Sequence, residues 1–161
     1  MTNTQIDSQP QAGKAVTIKK TFSRETSVHT TILADPAIIW TLLTRAADYP
    51  RWNSTLTSIN GEIKEGGTIE LKSTLDKKRI FKLNIKEFVP QKRLVWGDNM
   101  GNRVYTLVQS SNGVQFTMSE KIGGPLFPLF AGMIPSFDES FERFAADLKK
   151  EAESIQNSKS L

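Results

Sequence analysis

The feature that most constrains this chain is an apolar stripe near its end. Phe137, Phe141, Phe144, Ala145, Leu148, Ala152 and Ile155 recur at steps of one, three and four, while Glu142, Arg143, Lys149 and Lys150 take the other side. That spacing predicts a helix over about 136–155, opened by the capping box Ser136-Phe137-Asp138-Glu139. An aromatic face of this length needs an apolar surface to cover it, and the residues before it supply a sheet. Val28, Thr30 and Ile32 alternate with Ser27, His29 and Thr31. Similar strand signals return at Leu56 to Glu62, at Ile69-Leu71-Ser73-Leu75, at Phe81-Leu83-Ile85, at Leu94 and Trp96, and over 103–109 and 114–122. A period of two is the signature of a half-buried strand.

The punctuation between these runs fixes their order. Asp35-Pro36 supplies an N-cap and a first-turn proline to a short helix carrying Ile39, Leu42 and Leu43, with Trp40 at its flank. That helix should end before the Asp48-Tyr49-Pro50 turn, and Arg51-Trp52-Asn53 reads as a second helical turn. Asp76-Lys77-Lys78 and Asn112-Gly113 read as hairpin tips, the second with the strongest short-range hairpin signal. Short connections favour an antiparallel meander. The fold class is therefore α+β: a curved antiparallel sheet of six to seven strands gripping a long C-terminal helix, with one or two short helices after the first strand. The 161 residues suit one domain, expected over 25–155. Residues 1–24 are polar and read as a flexible tail, with Val16-Thr17-Ile18 the one stretch able to pair as an edge strand. Residues 156–161 should fray.

Composition removes much of chemistry. The chain has no cysteine, which excludes disulfides, thiolate metal sites and cysteine nucleophiles. Its single histidine, His29, lies on the strand face opposite Val28, so no metal, no cofactor and no Ser-His-Asp triad is expected. Phosphate-binding and dinucleotide glycine motifs are missing. The net charge of +4 is interleaved with acidic residues; Lys77-Lys78-Arg79 and Lys14, Lys19 and Lys20 read as solvated charge, so no nucleic-acid partner is expected. No apolar run approaches the length of a membrane span, and the first residues lack the apolar segment of a secretory signal. A cytoplasmic monomer or weak homodimer is the expectation.

The most informative polar residue is Glu120. It shares a strand face with Phe116 and Met118, facing Arg103, Tyr105 and Leu107 across the Asn112-Gly113 hairpin. A two-residue turn there sets Tyr105 opposite Glu120 with Arg103 diagonal; a four-residue turn sets Arg103 directly across. Either register brings Arg103, Tyr105 and Glu120 together on the inner face. A carboxylate there must be paired, hydrogen-bonded or protonated. Three roles fit it: a structural ion pair, a polar anchor for a ligand, or a general acid or base. Pairing keeps a carboxylate charged, which suits anchoring better than proton transfer near neutral pH.

These elements, with Ile32-Leu33-Ala34-Asp35-Pro36, Tyr49-Pro50-Arg51-Trp52-Asn53, Gly61 with Gly67, Arg93-Leu94-Val95-Trp96-Gly97 and Phe116-Thr117-Met118-Ser119-Glu120 in order, make a pattern that resembles the START-like, or SRPBCC, helix-grip superfamily. The resemblance is to its polyketide cyclase/dehydrase and lipid-transport branch, and it covers about 25–155. It implies a deep, mostly apolar cavity between sheet and terminal helix. Trp52, Phe81, Trp96, Tyr105, Phe116, Phe137 and Phe141 would close such a space, with Leu71, Leu83, Leu107 and Met118 on the strand faces between them. Ordinary core packing accounts for any one of these rings. The apolar segment Gly123 to Pro135, with Phe127, Phe130 and Met133, reads as a lid or as a buried plug. The leading function is binding of a small hydrophobic molecule (a lipid, isoprenoid or polyketide-like compound), oriented by Arg103, Tyr105 and Glu120. The resemblance also allows an aromatase/cyclase-type enzyme, with Glu120 the candidate for proton transfer. A third reading is a protein-interaction module built on the Phe-rich loop.

Overall fold

In the computed structural model of the protein, which describes residues 10–159, the alternating segments form one antiparallel sheet of eight strands. They are β1 (Val16–Lys20), β2 (Ser23–Ile32), β3 (Leu56–Gly61), β4 (Thr68–Ser73), β5 (Asp76–Val89), β6 (Arg93–Gly97), β7 (Gly101–Ser110) and β8 (Gly113–Gly123). Their order is β1-β2-β8-β7-β6-β5-β4-β3. Strands β3 to β8 thus run as a meander of hairpins, and β2 joins it along β8. Helices α1 (Pro36–Thr44) and α2 (Tyr49–Trp52) occupy the crossover from β2 to β3. A short helix α3 (Phe127–Phe130) and a 3-10 turn (Ala131–Met133) precede the long helix α4 (Asp138–Lys159).

The helices begin where side chains can hold their free backbone groups. The Asp35 carboxylate accepts the Ala37 N–H at 2.8 Å and Pro36 fills the first turn of α1. Trp40 is buried rather than at the flank, edge-on to Phe88 at 5.2 Å. Helix α4 starts at Asp138, whose N–H donates to Ser136 Oγ, and it continues through Lys159 rather than stopping near 155. The expected fraying from 156 is therefore corrected for 156–159. Gln156 Oε1 accepts the Asp35 N–H and Glu153 Oε1 accepts the Leu33 N–H, so this end of α4 is tied to the chain entering α1. Residues 160–161 lie outside the described residues.

The expected tail is also shorter than 1–24. Residues 1–9 lie outside the described residues, but Val16–Lys20 pairs with β2, and β2 itself begins at Ser23. Thr17 Oγ1 bonds to Thr26 Oγ1 and donates to the Asp138 carboxylate, while the Ala15 N–H donates to Glu142. This segment is held by backbone pairing and by the acidic start of α4, neither of which needs apolar residues. It adds the eighth strand. Two turns move as well. The tip between β4 and β5 is Thr74-Leu75, held by Ser73 Oγ, which accepts the Leu75 N–H, and Lys77-Lys78 lies within β5. The last hairpin turns at Ser111-Asn112, with Ser110 paired to Gly113, one place earlier than Asn112-Gly113. Gly113 has φ near +117°, a backbone position that favours glycine.

The apolar face of α4 lies on the concave face of the sheet. Phe144 sits at the centre, with ring centroids 5.5 Å from Tyr105, 5.7 Å from Trp52, 6.2 Å from Tyr49 and 6.5 Å from Phe116. Trp96 stands edge-on to Tyr105 at 5.0 Å. Both flanks of α4 are pinned by polar contacts: Lys149 Nζ donates to the Thr31 carbonyl on one side, and Asp147 accepts from Ser54 N–H and Oγ on the other.

Candidate functional site

The middle of the space that the resemblance assigns to a cavity is occupied by side chains. Trp52, Tyr105, Leu107, Phe116, Met118 and Phe141 are all buried in the core. Trp52 and Tyr105 close on Phe144 from two sides, and Tyr49, whose hydroxyl donates to the Leu43 carbonyl at 2.7 Å, fills the space behind them. Burial pushes the Tyr49 phenol well above its ordinary pKa. Phe127 is buried under the loop with Phe130 edge-on to it at 5.8 Å; neither ring lines the cleft described next.

Space remains at one end of the helix–sheet interface, where the chain segment leading into α4 crosses the sheet. A cleft of about 210 Å³ is lined by Leu71, Phe81, Leu83, Trp96, Met133 and Phe137, together with Leu56, Leu75, Ile122, Ile134 and Pro135. Its polar residues include Arg103 and Glu120 on the inner wall and Asp76, Arg79 and Asp98 toward the mouth. Of the residues read from the sequence as a ligand-binding set, the cleft therefore gathers eight. The other eight are core or under-loop residues.

The hairpin register decides the inner wall. Arg103 lies directly across from Glu120, and Tyr105 across from Met118. The Arg103 Nη2 donates to Glu120 Oε2 at 2.9 Å, with the side chains 12% and 21% exposed. Arg103 also lies over the Phe141 ring, 5.0 Å from its centroid. The Tyr105 hydroxyl and Arg103 Nε are buried, and neither has a hydrogen-bond partner among the described residues. Burial raises the Tyr105 phenol above its ordinary pKa, and the nearby Arg103 charge only partly offsets this. Burial opposes the charge on Arg103, but the facing Glu120 carboxylate and the Tyr105 hydroxyl together outweigh it, so the guanidinium stays protonated.

Sequence reasoning missed Arg24, which fell in the expected tail. It is buried, donates to the carbonyls of Ile134 at 3.1 Å and Pro135 at 2.7 Å, and lies 4.8 Å over the Phe137 ring. Phe137 in turn stacks on Phe141 at 5.9 Å. Two guanidiniums thus bracket a pair of stacked rings, in the order Arg24, Phe137, Phe141, Arg103. The signal was available: Arg24 and Thr26 continue the parity of Val28, Thr30 and Ile32 toward the inner face. His29 has the opposite parity, with its Nε2 2.7 Å from the Pro10 carbonyl.

Arg24 holds the segment that forms one wall of the cleft. Arg24→Ala is expected to lower stability by about 1–2 kcal/mol, the weight of a charged donor serving two carbonyls. It should also speed hydrogen exchange of the amides between Gly124 and Ile134. Exchange there unchanged from the parent protein would show that Arg24 does not hold the loop.

The comparisons with known proteins agree on the fold. The family model described as Activator of Hsp90 ATPase homolog 1-like protein matches residues 33–153. No curated protein sequence matches this chain. Among solved structures, a protein from Rhodobacter sphaeroides superposes with TM-score 0.64 at 18% identity, over 88% of this chain and 99% of that one. A conserved protein of unknown function from Enterococcus faecalis gives TM-score 0.61 at 16% identity, over 85% of this chain and 75% of that one. The di-domain ARO/CYC StfQ from the steffimycin biosynthetic pathway gives TM-score 0.61 at 8% identity, over 87% of this chain and 52% of that one. At these identities the likeness carries the fold alone. Among the described residues, no helix is long and apolar enough to cross a membrane.

Proposed function

The chain belongs to the Activator of Hsp90 ATPase homolog 1-like family of the START-like superfamily, and from that premise we propose that it binds a small apolar molecule without transforming it. The observation that carries this reading is the cleft itself: an apolar wall of Leu71, Phe81, Leu83, Trp96 and Phe137 beside one largely buried ion pair, Arg103–Glu120. Apolar contact supplies affinity and the pair orients a polar end, the usual division in small-molecule sites. Its volume suits a compact ligand better than a long acyl chain.

An aromatase/cyclase-type enzyme is the alternative. The StfQ likeness keeps it in view, but Glu120, its candidate proton carrier, is engaged by Arg103. Native mass spectrometry of the freshly purified protein, followed by solvent extraction, tests the binding reading. A small apolar adduct recovered unchanged in mass supports it; conversion of that compound on incubation with the protein overturns it. Glu120→Gln separates the two further. A binder should keep its fold and change affinity several-fold, whereas an enzyme would lose turnover with binding nearly intact.

A third reading, a protein-interaction surface, draws on the exposed Leu126, Leu129 and Met133 of the loop. The loop's aromatic residues do not form that surface, since Phe127 is buried and Phe130 packs on it.

A further inference from the structure

We infer that the cleft selects a neutral, single-ring-sized molecule whose polar group is a hydrogen-bond acceptor, such as a ketone or ester carbonyl, and discriminates against carboxylates. The inference rests on the binding role proposed above and adds the chemistry of the ligand. Three observations carry it.

The first is the set of unmet hydrogen bonds. The Arg103 guanidinium donates to Glu120 through Nη2 and also interacts with the Tyr105 hydroxyl, which does not use up its fork. An arginine has five N–H donors in a fixed fork. Its Nε is out of water and makes no hydrogen bond, while the Arg103 side chain as a whole lines the cleft. Glu120 keeps more contact with solvent than Arg103 does, 21% against 12%. Arg103 thus brings N–H groups to spare to the inner wall, while its carboxylate partner can still be hydrated. A buried donor without a partner is costly, so a ligand offering an acceptor gains most there.

The second is charge. The groups lining the cleft are Asp76, Asp98 and Glu120 against Arg79 and Arg103. Glu120 already neutralises Arg103, and Arg79, which lies over the Phe81 ring at 4.6 Å, shares the lining with two further carboxylates, Asp76 and Asp98. With three negative groups to two positive, the lining offers an entering anion no surplus positive charge. A neutral carbonyl meets the donors without that repulsion.

The third is size. A dry apolar cavity of about 150 Å³ holds benzene, and this cleft encloses about 210 Å³. One ring with a short substituent fills it, with the ring against Phe81, Leu83 and Trp96 and the carbonyl toward Arg103.

Ligand-observed NMR titration with acetophenone, ethylbenzene and benzoate, alike in shape, tests this at pH 7. Acetophenone should bind about tenfold or more tightly than ethylbenzene, the weight of one well-made hydrogen bond to a charged donor. Benzoate should bind more weakly than acetophenone. The double variant Arg103→Met/Glu120→Leu removes the donors and their counter-charge together, and should bring acetophenone down to the level of ethylbenzene while ethylbenzene still binds. Equal binding of acetophenone and ethylbenzene by the parent protein, or preference for benzoate, overturns the inference and leaves the binding role standing. Failure of all three probes to bind overturns both. The ranking in the parent protein is decisive even if the double variant does not fold.

Discussion

Phe144→Ala is expected to remove about 3–5 kcal/mol of stability, measured by urea denaturation followed by circular dichroism. The ring is 1% exposed and touches Tyr49, Trp52, Tyr105 and Phe116, which come from α2 and from both central strands of the last hairpin. Its removal leaves a hole bordered by four large rings held by three different elements, so the site cannot collapse without moving backbone. Domains of this kind are stable by about 5–15 kcal/mol in all, so the loss is a large share. Phe144→Leu should recover much of it. A loss below about 1 kcal/mol would mean that the centre of the helix–sheet interface is not packed as described.

Arg103→Ala is expected to cost about 2–3 kcal/mol. The substitution removes the stacking on Phe141 and leaves Glu120 without its partner on a largely buried wall. Breaking a fully buried pair by deleting one partner costs about 3–5 kcal/mol; the solvent that reaches this one reduces the figure. The penalty comes chiefly from the stranded carboxylate, so Arg103→Ala combined with Glu120→Ala should be more stable than Arg103→Ala alone. If the double variant is instead less stable by the sum of two independent losses, the pair is not coupled as the structure indicates.

The fold was legible because each element carried its own period. The stripe from Phe137 to Ile155 required a helix, and the alternating strands required an apolar sheet face opposite it; the two together leave little but a sheet gripping a helix. What sequence pattern left out were pieces held by polar contacts. β1 has Thr17 and backbone pairing rather than apolar alternation, and the last turn of α4 is fastened by Glu153 and Gln156 to main-chain N–H groups. The contacts of Glu153 and Gln156, like that of Thr17 with Asp138, join residues more than a hundred positions apart and leave no local trace.

The site was legible in part for a similar reason. Strand parity placed Arg103, Tyr105 and Glu120 on one wall, and the eventual register put Arg103 directly across from Glu120. Parity could not say whether inward-facing rings line a space or fill it. That depends on how closely α4 approaches the sheet, and Phe144 with Tyr49 and Trp52 takes up the middle. Arg24 was overlooked because its strand begins in polar sequence, although its parity was that of Val28.

The central claim, that the cleft beside Arg103 and Glu120 is where an apolar ligand resides, is tested most directly by protein-observed NMR during titration with acetophenone. The account predicts saturable shifts of the Trp96 indole and of the Leu71 and Leu83 methyl groups, with Trp40, on the far side of the core, unmoved. Shifts confined to Leu126 and Leu129 on the outer loop, with the Trp96 indole unchanged at saturation, would contradict it.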